Sequence, residues 1–142
     1  MKTCDFKCIL TNTRYDDVHH LMSFSIIVNS ILQDLKYEKN KYVSDYSEEE
    51  LDKIINQFIF KHNKNIGVCL NLFIHKLFHK IYTNCNNTPQ QFLSFIQRLE
   101  AHEFDTYLAE NNLTLNINYE ILEKLLNQFG LSYVNPIINK NE

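Results

Sequence analysis

The sequence predicts a single all-α domain, a helical bundle around a buried central helix. Apolar residues recur every three or four positions through most of the 142 residues, which is the helical period. Two segments open with a capping box, in which a Ser or Thr is followed three residues later by Glu or Gln. A third segment, 67–82, is apolar nearly all round at its start, as expected for a helix surrounded by other helices. We therefore treat 1–142 as one domain, with an uncertain N-terminal segment at 1–15 and a C-terminal tail at 131–142.

The first predicted helix covers 16–37, and Asp16 and Asp17 lie near its positive N-terminal end. A polar connector follows. Ser47 and Glu50 then form the capping box of a second helix. The apolar stripe of that helix consists of Leu51, Ile54, Ile55, Phe58 and Ile59.

The central helix is predicted to begin at Gly67, because only Asn71 is polar among the residues that follow up to Ile74. Four polar residues restore a solvated face towards its end: His75, Lys76, His79 and Lys80.

The remaining elements are predicted from their boundaries. Thr88 and Gln91 form a capping box around Pro89, which suits the first helical position. This helix either breaks near residue 102 or continues through residue 108. The alternating segment 113–118 predicts a short extended link. Asn118 caps a last helix, and Gly130 stands just past its end, where a left-handed residue is favoured.

Composition argues against several functions. A net charge of −3 without a basic block gives no surface for nucleic acid. Two glycines, far apart, leave no phosphate-binding loop and no nucleophile elbow, so neither an enzyme nor a bound cofactor is expected. The start does not read as a secretory signal, and the four cysteines are therefore expected to be reduced.

Two groups of residues are candidate metal ligands. His75 and His79 lie one helical turn apart, but Lys76 occupies the position where a zincin has its glutamate, and a solvated helix face is favoured. The second group is Cys4 and Cys8 with His19 and His20, and no second cysteine pair follows at finger spacing. The sequence therefore predicts no metal site.

Two motifs carry a resemblance to a known family. Residues 59–61 and 65–68, Ile-Phe-Lys and Asn-Ile-Gly-Val, are similar to the helix end and the Asn-Trp-Gly-Arg motif of the Bcl family (B-cell lymphoma two-like) of apoptosis regulators. Residues 107–114, YLAENNLT, are similar to that family's second motif. Because the motifs are eroded and Asn, Ile, Lys and Tyr are abundant, the chain most resembles the poxvirus branch. The resemblance covers about 50–115.

The resemblance implies a Bcl-like fold and a viral-type inhibitor of apoptosis. Its hydrophobic groove would bind the death-agonist helix of pro-apoptotic Bcl-family proteins. Carried over by position, the groove residues are Ile54, Ile55, Phe58, Ile59, Lys64, Asn65, Gly67, Val68, Leu70 and Asn71.

The sequence also departs from the family. Val68 stands where the family has an arginine that pairs with the ligand's aspartate, so Asn65 and Lys64 are expected to take over that role. Ile66 replaces the motif's tryptophan, and Asn112 and Leu113 replace the second motif's glycines.

Several alternatives stay open. The chain is either that inhibitor or a Bcl-fold inhibitor of host innate or inflammatory signalling that binds no death ligand. A metal- or nucleic-acid-binding helical module is less favoured. Homodimer formation is also open. The expected location is the host cytoplasm, or the mitochondrial surface if the natural chain carries a C-terminal anchor.

Overall fold

The structure is a computed structural model that describes residues 6–39, 42–64 and 67–133. These residues contain six α-helices and one two-stranded sheet, which confirms a mostly helical fold but adds strands that the sequence did not predict. A short 3₁₀ turn, Val43–Asp45, lies between the first two helices. The elements are β1 (Asp17–His20), α1 (Phe24–Leu35), α2 (Glu48–Lys64), β2 (Gly67–Leu70), α3 (Leu72–Tyr82), α4 (Pro89–Glu100), α5 (Asp105–Glu110) and α6 (Tyr119–Asn127).

The predicted start of the central helix is wrong, because 67–70 form strand β2. This strand pairs antiparallel with β1, with Asp17 opposite Leu70 and His20 opposite Gly67. A short apolar run that is buried on both sides has no periodicity that separates a strand from a helix. The helix α3 begins only after Asn71, whose side-chain oxygen accepts a hydrogen bond from the Phe73 amide at 2.9 Å.

The first predicted helix is also corrected. Residues 17–20 form β1, and α1 occupies only Phe24–Leu35 before ending at Lys36, which has a left-handed φ of 60°. The apolar spacing of 16–37 suits a helix throughout, but pairing with a strand far along the chain overrides local propensity in the first part.

The helix boundaries based on capping are confirmed. The Glu50 amide donates to the Ser47 hydroxyl at 3.1 Å, and the Ser47 amide donates to the Glu50 carboxylate at 2.9 Å. Thr88 caps α4 in the same way, with Pro89 in its first turn. Asn118 caps α6. Gly130 has a φ of 71°, the left-handed conformation predicted for it.

Two open points about the second half of the chain are settled. The helix that begins at residue 89 breaks near 102, and a separate short helix, α5, follows. The alternating segment 113–118 forms neither helix nor strand, which is compatible with the predicted link. This segment lies beside the N-terminal segment, since the Asn116 amide donates to the Leu10 carbonyl at 2.9 Å. The N-terminal segment in turn contacts β2, where the Ile9 amide donates to the Cys69 carbonyl at 3.0 Å.

The hydrophobic core joins the N-terminal segment, β2, α3, α4, α5 and α6. Its fully buried aromatic residues are Phe78, Phe92 and Phe95. The start of the predicted tail also belongs to it, since Tyr133 is buried. The rest of that tail, from 134 onwards, lies outside the described residues.

Helices α1 and α2 pack against each other. Ile27, Ile31 and Leu32 are the buried residues of α1, and Lys61 of α2 donates to the Asp34 carboxylate at 2.7 Å and to the Ser30 hydroxyl at 2.8 Å. Among the described helices, none combines the length and the apolar character that crossing a bilayer requires.

Candidate functional site

Two of the predicted groove residues that follow α2 are buried in the sheet rather than exposed at a surface groove. Val68 and Leu70 are fully buried in β2, and Asn71 caps α3. A Cβ added at Gly67 would collide with the Cγ1 methyl of Val18, so the close neighbour of this glycine is the chain's own first strand. The expectation that a bound helix passes over Gly67 is therefore corrected: β1 occupies that place.

Two predicted groove residues cannot be placed. Asn65 lies outside the described residues, and only the backbone of Lys64 is described. Their expected role, compensating for the missing arginine at Val68, stays a prediction.

The four predicted residues on α2 divide into two sides of the helix. Ile54 and Phe58 are half-buried, and the Phe58 ring lies 4.9 Å from that of Phe24, at the start of α1. Ile55 and Ile59, one turn apart, are 53% and 54% exposed. Phe24 itself is 67% exposed. We call Phe24, Ile55, Phe58 and Ile59 the α2 patch.

A second candidate site consists of histidines. Five of the chain's six histidines line one cavity of about 420 Å³ between β1, α1, α2 and α3. These five are His19, His20, His62, His75 and His79. Such a concentration of one ionisable residue type in one cavity is typical of a functional site.

Three of these histidines converge on one point. His19, His75 and His79 each place one ring nitrogen within 4.8 Å of the others. The Nε2 atoms of His75 and His79 are 2.9 Å apart. His19 is 3% exposed, and its Nε2 has no hydrogen-bond partner.

The outer nitrogens of two of these rings have their own partners. His79 Nδ1 lies 2.7 Å from the Thr83 carbonyl oxygen. His75 Nδ1 lies 3.3 Å from a carboxylate oxygen of Asp17. Asp17 is on β1 and His75 on α3, so this contact also joins the strand to the helix.

Burial disfavours the charged form of two histidines in the cluster, His19 and His75. Burial lowers the pKa of His19 to about 3, and the nearby His75 and His79 add to that effect. Burial also lowers the pKa of His75, although the Asp17 carboxylate opposes this. Neutral imidazole is the form of histidine that binds metals.

The sequence identified only part of this cluster. The spacing of His75 and His79 suits a shared metal, but Lys76 after His75 favours a solvated face. In the sequence, His19 and His20 instead form a candidate group with Cys4 and Cys8. Of these, Cys8 is buried in the core, and Cys4 lies outside the described residues.

No family model, no curated protein and no solved structure matches this chain. The resemblance to the Bcl family stays a prediction that rests on its two motifs. The functional argument below rests on the geometry of the α2 patch and the histidine cluster.

Proposed function

We propose that this chain is a non-catalytic protein-binding domain whose α2 patch receives an amphipathic helix of a partner protein. The observation that carries the proposal is the exposure of Ile55 and Ile59, 53% and 54%, on a helix already packed against α1. Single exposed apolar residues are common on protein surfaces, but neighbouring exposed apolar residues, such as Ile55 and Ile59 one turn apart, are a feature of interaction sites. Residues one turn apart are also the usual anchors of helix-in-groove recognition.

The charges around the patch define the partner further. Glu48, Glu49 and Asp52, in the first turns of α2, are exposed. A partner helix would therefore combine an apolar stripe with basic residues at the end that lies over the α2 N-terminus. Fully burying an Ile side chain contributes about 1.5–3 kcal/mol. Because Ile55 and Ile59 are 53% and 54% exposed, a partner would gain only about half of that at each, and the partner's own apolar residues must supply the rest of the affinity.

The resemblance to the Bcl family gives the proposal a more specific form. The chain would inhibit apoptosis by binding the death-agonist helix of pro-apoptotic Bcl-family proteins, in the host cytoplasm or at the mitochondrial surface. One detail of the second motif supports this form. Asn112 stands where the family has a glycine and has a φ of 55°, a conformation that Gly and then Asn adopt most readily.

One observation favours the alternative, an inhibitor of host innate or inflammatory signalling. Val68 and Leu70 would form one wall of a death-ligand groove, but both are withdrawn into the sheet. A partner would then contact α2 and Phe24 rather than enter a groove between α2 and α3. A domain whose groove is filled by its own side chains suits a signalling partner at least as well as it suits a death-agonist helix.

Titration calorimetry against a panel of death-agonist peptides tests the specific form. At least one peptide should bind, Ile59→Glu should abolish the heat of binding, and Val43→Glu should not. Val43 is a matched control because it is 72% exposed but lies outside the patch, in the 3₁₀ turn.

The remaining outcomes separate the two forms. If no death-agonist peptide binds, but a purified innate-signalling protein does and Ile59→Glu abolishes that binding, the signalling inhibitor is the correct form. If no peptide and no signalling protein binds, or if Ile59→Glu has no more effect than Val43→Glu, the α2 patch is not a binding site.

A further inference from the structure

We propose that His19, His75 and His79 form a binding site for a divalent transition-metal ion, zinc being the best fit. The three rings come from β1 and from two successive turns of α3, and each offers one nitrogen within 4.8 Å of the others. This site lies apart from the α2 patch and replaces the sequence-based expectation of no metal. The proposal does not depend on the proposed function.

The hydrogen-bond partners determine which nitrogens are available. A carbonyl oxygen and a carboxylate only accept hydrogen bonds, so the Nδ1 atoms of His79 and His75 must carry the protons directed at Thr83 and Asp17. In the neutral rings both Nε2 atoms then hold lone pairs. These two lone pairs face each other across 2.9 Å, an arrangement that repels unless a positive charge lies between them.

A proton would satisfy only part of the cluster. If His75 carried a second proton on Nε2, it would donate to His79, but the buried Nε2 of His19 would still have no partner. A metal ion would accept one lone pair from each of the three rings at once. The buried, unpartnered Nε2 of His19 is therefore the observation that favours a metal over a shared proton.

The separation of the His75 and His79 nitrogens suits zinc after a small adjustment, and the His19 nitrogen, within 4.8 Å of them, would move closer on binding. Zinc binds histidine nitrogen at about 2.0–2.1 Å in a tetrahedral arrangement, which separates neighbouring nitrogens by roughly 3.3 Å. The Nε2 atoms of His75 and His79 would move apart by a few tenths of an ångström from their 2.9 Å separation. A set of three imidazoles suits zinc, copper or nickel, whereas magnesium and calcium prefer oxygen ligands.

The surroundings also resemble those of metal-binding histidines. Such histidines usually donate their other ring N–H to a carboxylate or a backbone carbonyl, as His75 does to Asp17 and His79 does to Thr83. Three protein ligands leave a fourth position, and the cavity of about 420 Å³ gives water access to it. The ion would join β1 to α3 and so stabilise the only sheet of the described residues.

The test is metal binding by the purified full chain, stripped with a chelator and carrying Cys85→Ser to remove an exposed thiol. We expect one equivalent of zinc per chain and a rise in Tm on binding, because a ligand of the folded state stabilises it. Cobalt(II) should give the visible absorption of a four-coordinate site, without the near-ultraviolet band of a thiolate ligand.

Variants locate the site. His79→Gln and His75→Gln each remove a ligand and should weaken zinc binding by about 100-fold. Asp17→Asn should weaken it by about tenfold, because Asp17 contacts the ligand His75 and not the metal itself. His102→Asn is the matched control, because His102 is exposed and pairs with Asp105 outside the cluster. Circular dichroism must show that each variant folds.

Three results would overturn the proposal. One is the absence of stoichiometric binding to the stripped protein. Another is zinc binding of undiminished affinity in a folded His79→Gln variant. The third is an equal loss of affinity in His102→Asn. None of these bears on the α2 patch, which the calorimetry tests separately.

Discussion

The Cγ1 methyl of Val18 occupies the space in which a Cβ of Gly67 would stand. This contact explains why one of only two glycines in the chain lies at the start of β2. His20, which pairs with Gly67 across the sheet, belongs to the same strand as His19. The close approach of β1 to Gly67 therefore also helps to position the histidine cluster.

Gly67→Ala should therefore destabilise the fold. Val18 is β-branched and has little rotamer freedom, so overpacking here should lower the free energy of unfolding by about 1–3 kcal/mol. Urea denaturation measures the effect. Val18→Ala in the same chain should recover much of the loss, whereas equal stability of Gly67→Ala and wild type would contradict the pairing of β1 with β2.

Local signals predicted the capped helices correctly, because Ser47, Thr88 and Asn118 bond to backbone groups within three residues. The strands were not predicted, because a buried apolar run satisfies helix and strand patterns equally and its partner lies far along the chain. The sequence fails to place His19 in the candidate site for the same reason, because a strand pairing between distant segments is not visible locally. The spacing of His75 and His79 is visible in the sequence, but only the pairing of the strands brings His19 to them.

Truncations in the α2 patch and in the core should destabilise the fold to very different extents. Phe78→Ala removes a fully buried ring and should cost about 3–5 kcal/mol of unfolding free energy. Ile55→Ala removes a side chain that is 53% exposed, so its cost should stay much smaller, about 1 kcal/mol or less. Thermal denaturation of both variants provides the comparison. A large loss for Ile55→Ala would show that Ile55 packs within the domain rather than serving a partner.

The carboxylate of Glu100 accepts hydrogen bonds from Tyr119, at 3.0 Å, and from Tyr133. Burial and then the hydrogen bond to Glu100 raise the pKa of Tyr133 well above its usual value, and burial raises that of Tyr119. A raised pKa means that the folded state holds its proton when the unfolded chain has lost it. The stabilisation is complete below pH about 10 and falls as the pH rises beyond that value.

Tyr133→Phe should accordingly reduce the loss of stability at alkaline pH. Urea denaturation of wild type and variant, at neutral pH and above pH about 10, measures the difference. Tyr15→Phe is the control, because Tyr15 does not contact Glu100. An identical alkaline loss in wild type and Tyr133→Phe would mean that the phenol of Tyr133 does not hold its proton in the folded state.

The missing arginine gives a further prediction for the death-ligand form. Leaving a ligand aspartate partly buried without a partner costs about 1–3 kcal/mol, and Asn65 with Lys64 is expected to compensate. Replacing that aspartate by alanine should cost less here than in a groove that holds the arginine. A double-mutant cycle between Asn65→Ala and the ligand substitution measures the coupling. Zero coupling would remove Asn65 from the interface, whatever the α2 patch binds.

The central claim is that the α2 patch binds an amphipathic helix, and methyl NMR of isoleucine-labelled protein tests it most directly. On addition of a binding peptide, the methyl signals of Ile55 and Ile59 should shift or broaden. Those of Ile74 and Ile96, which are fully buried in the core, should stay in place. If the peptide shifts other methyl signals but leaves those of Ile55 and Ile59 unchanged, the claim is contradicted.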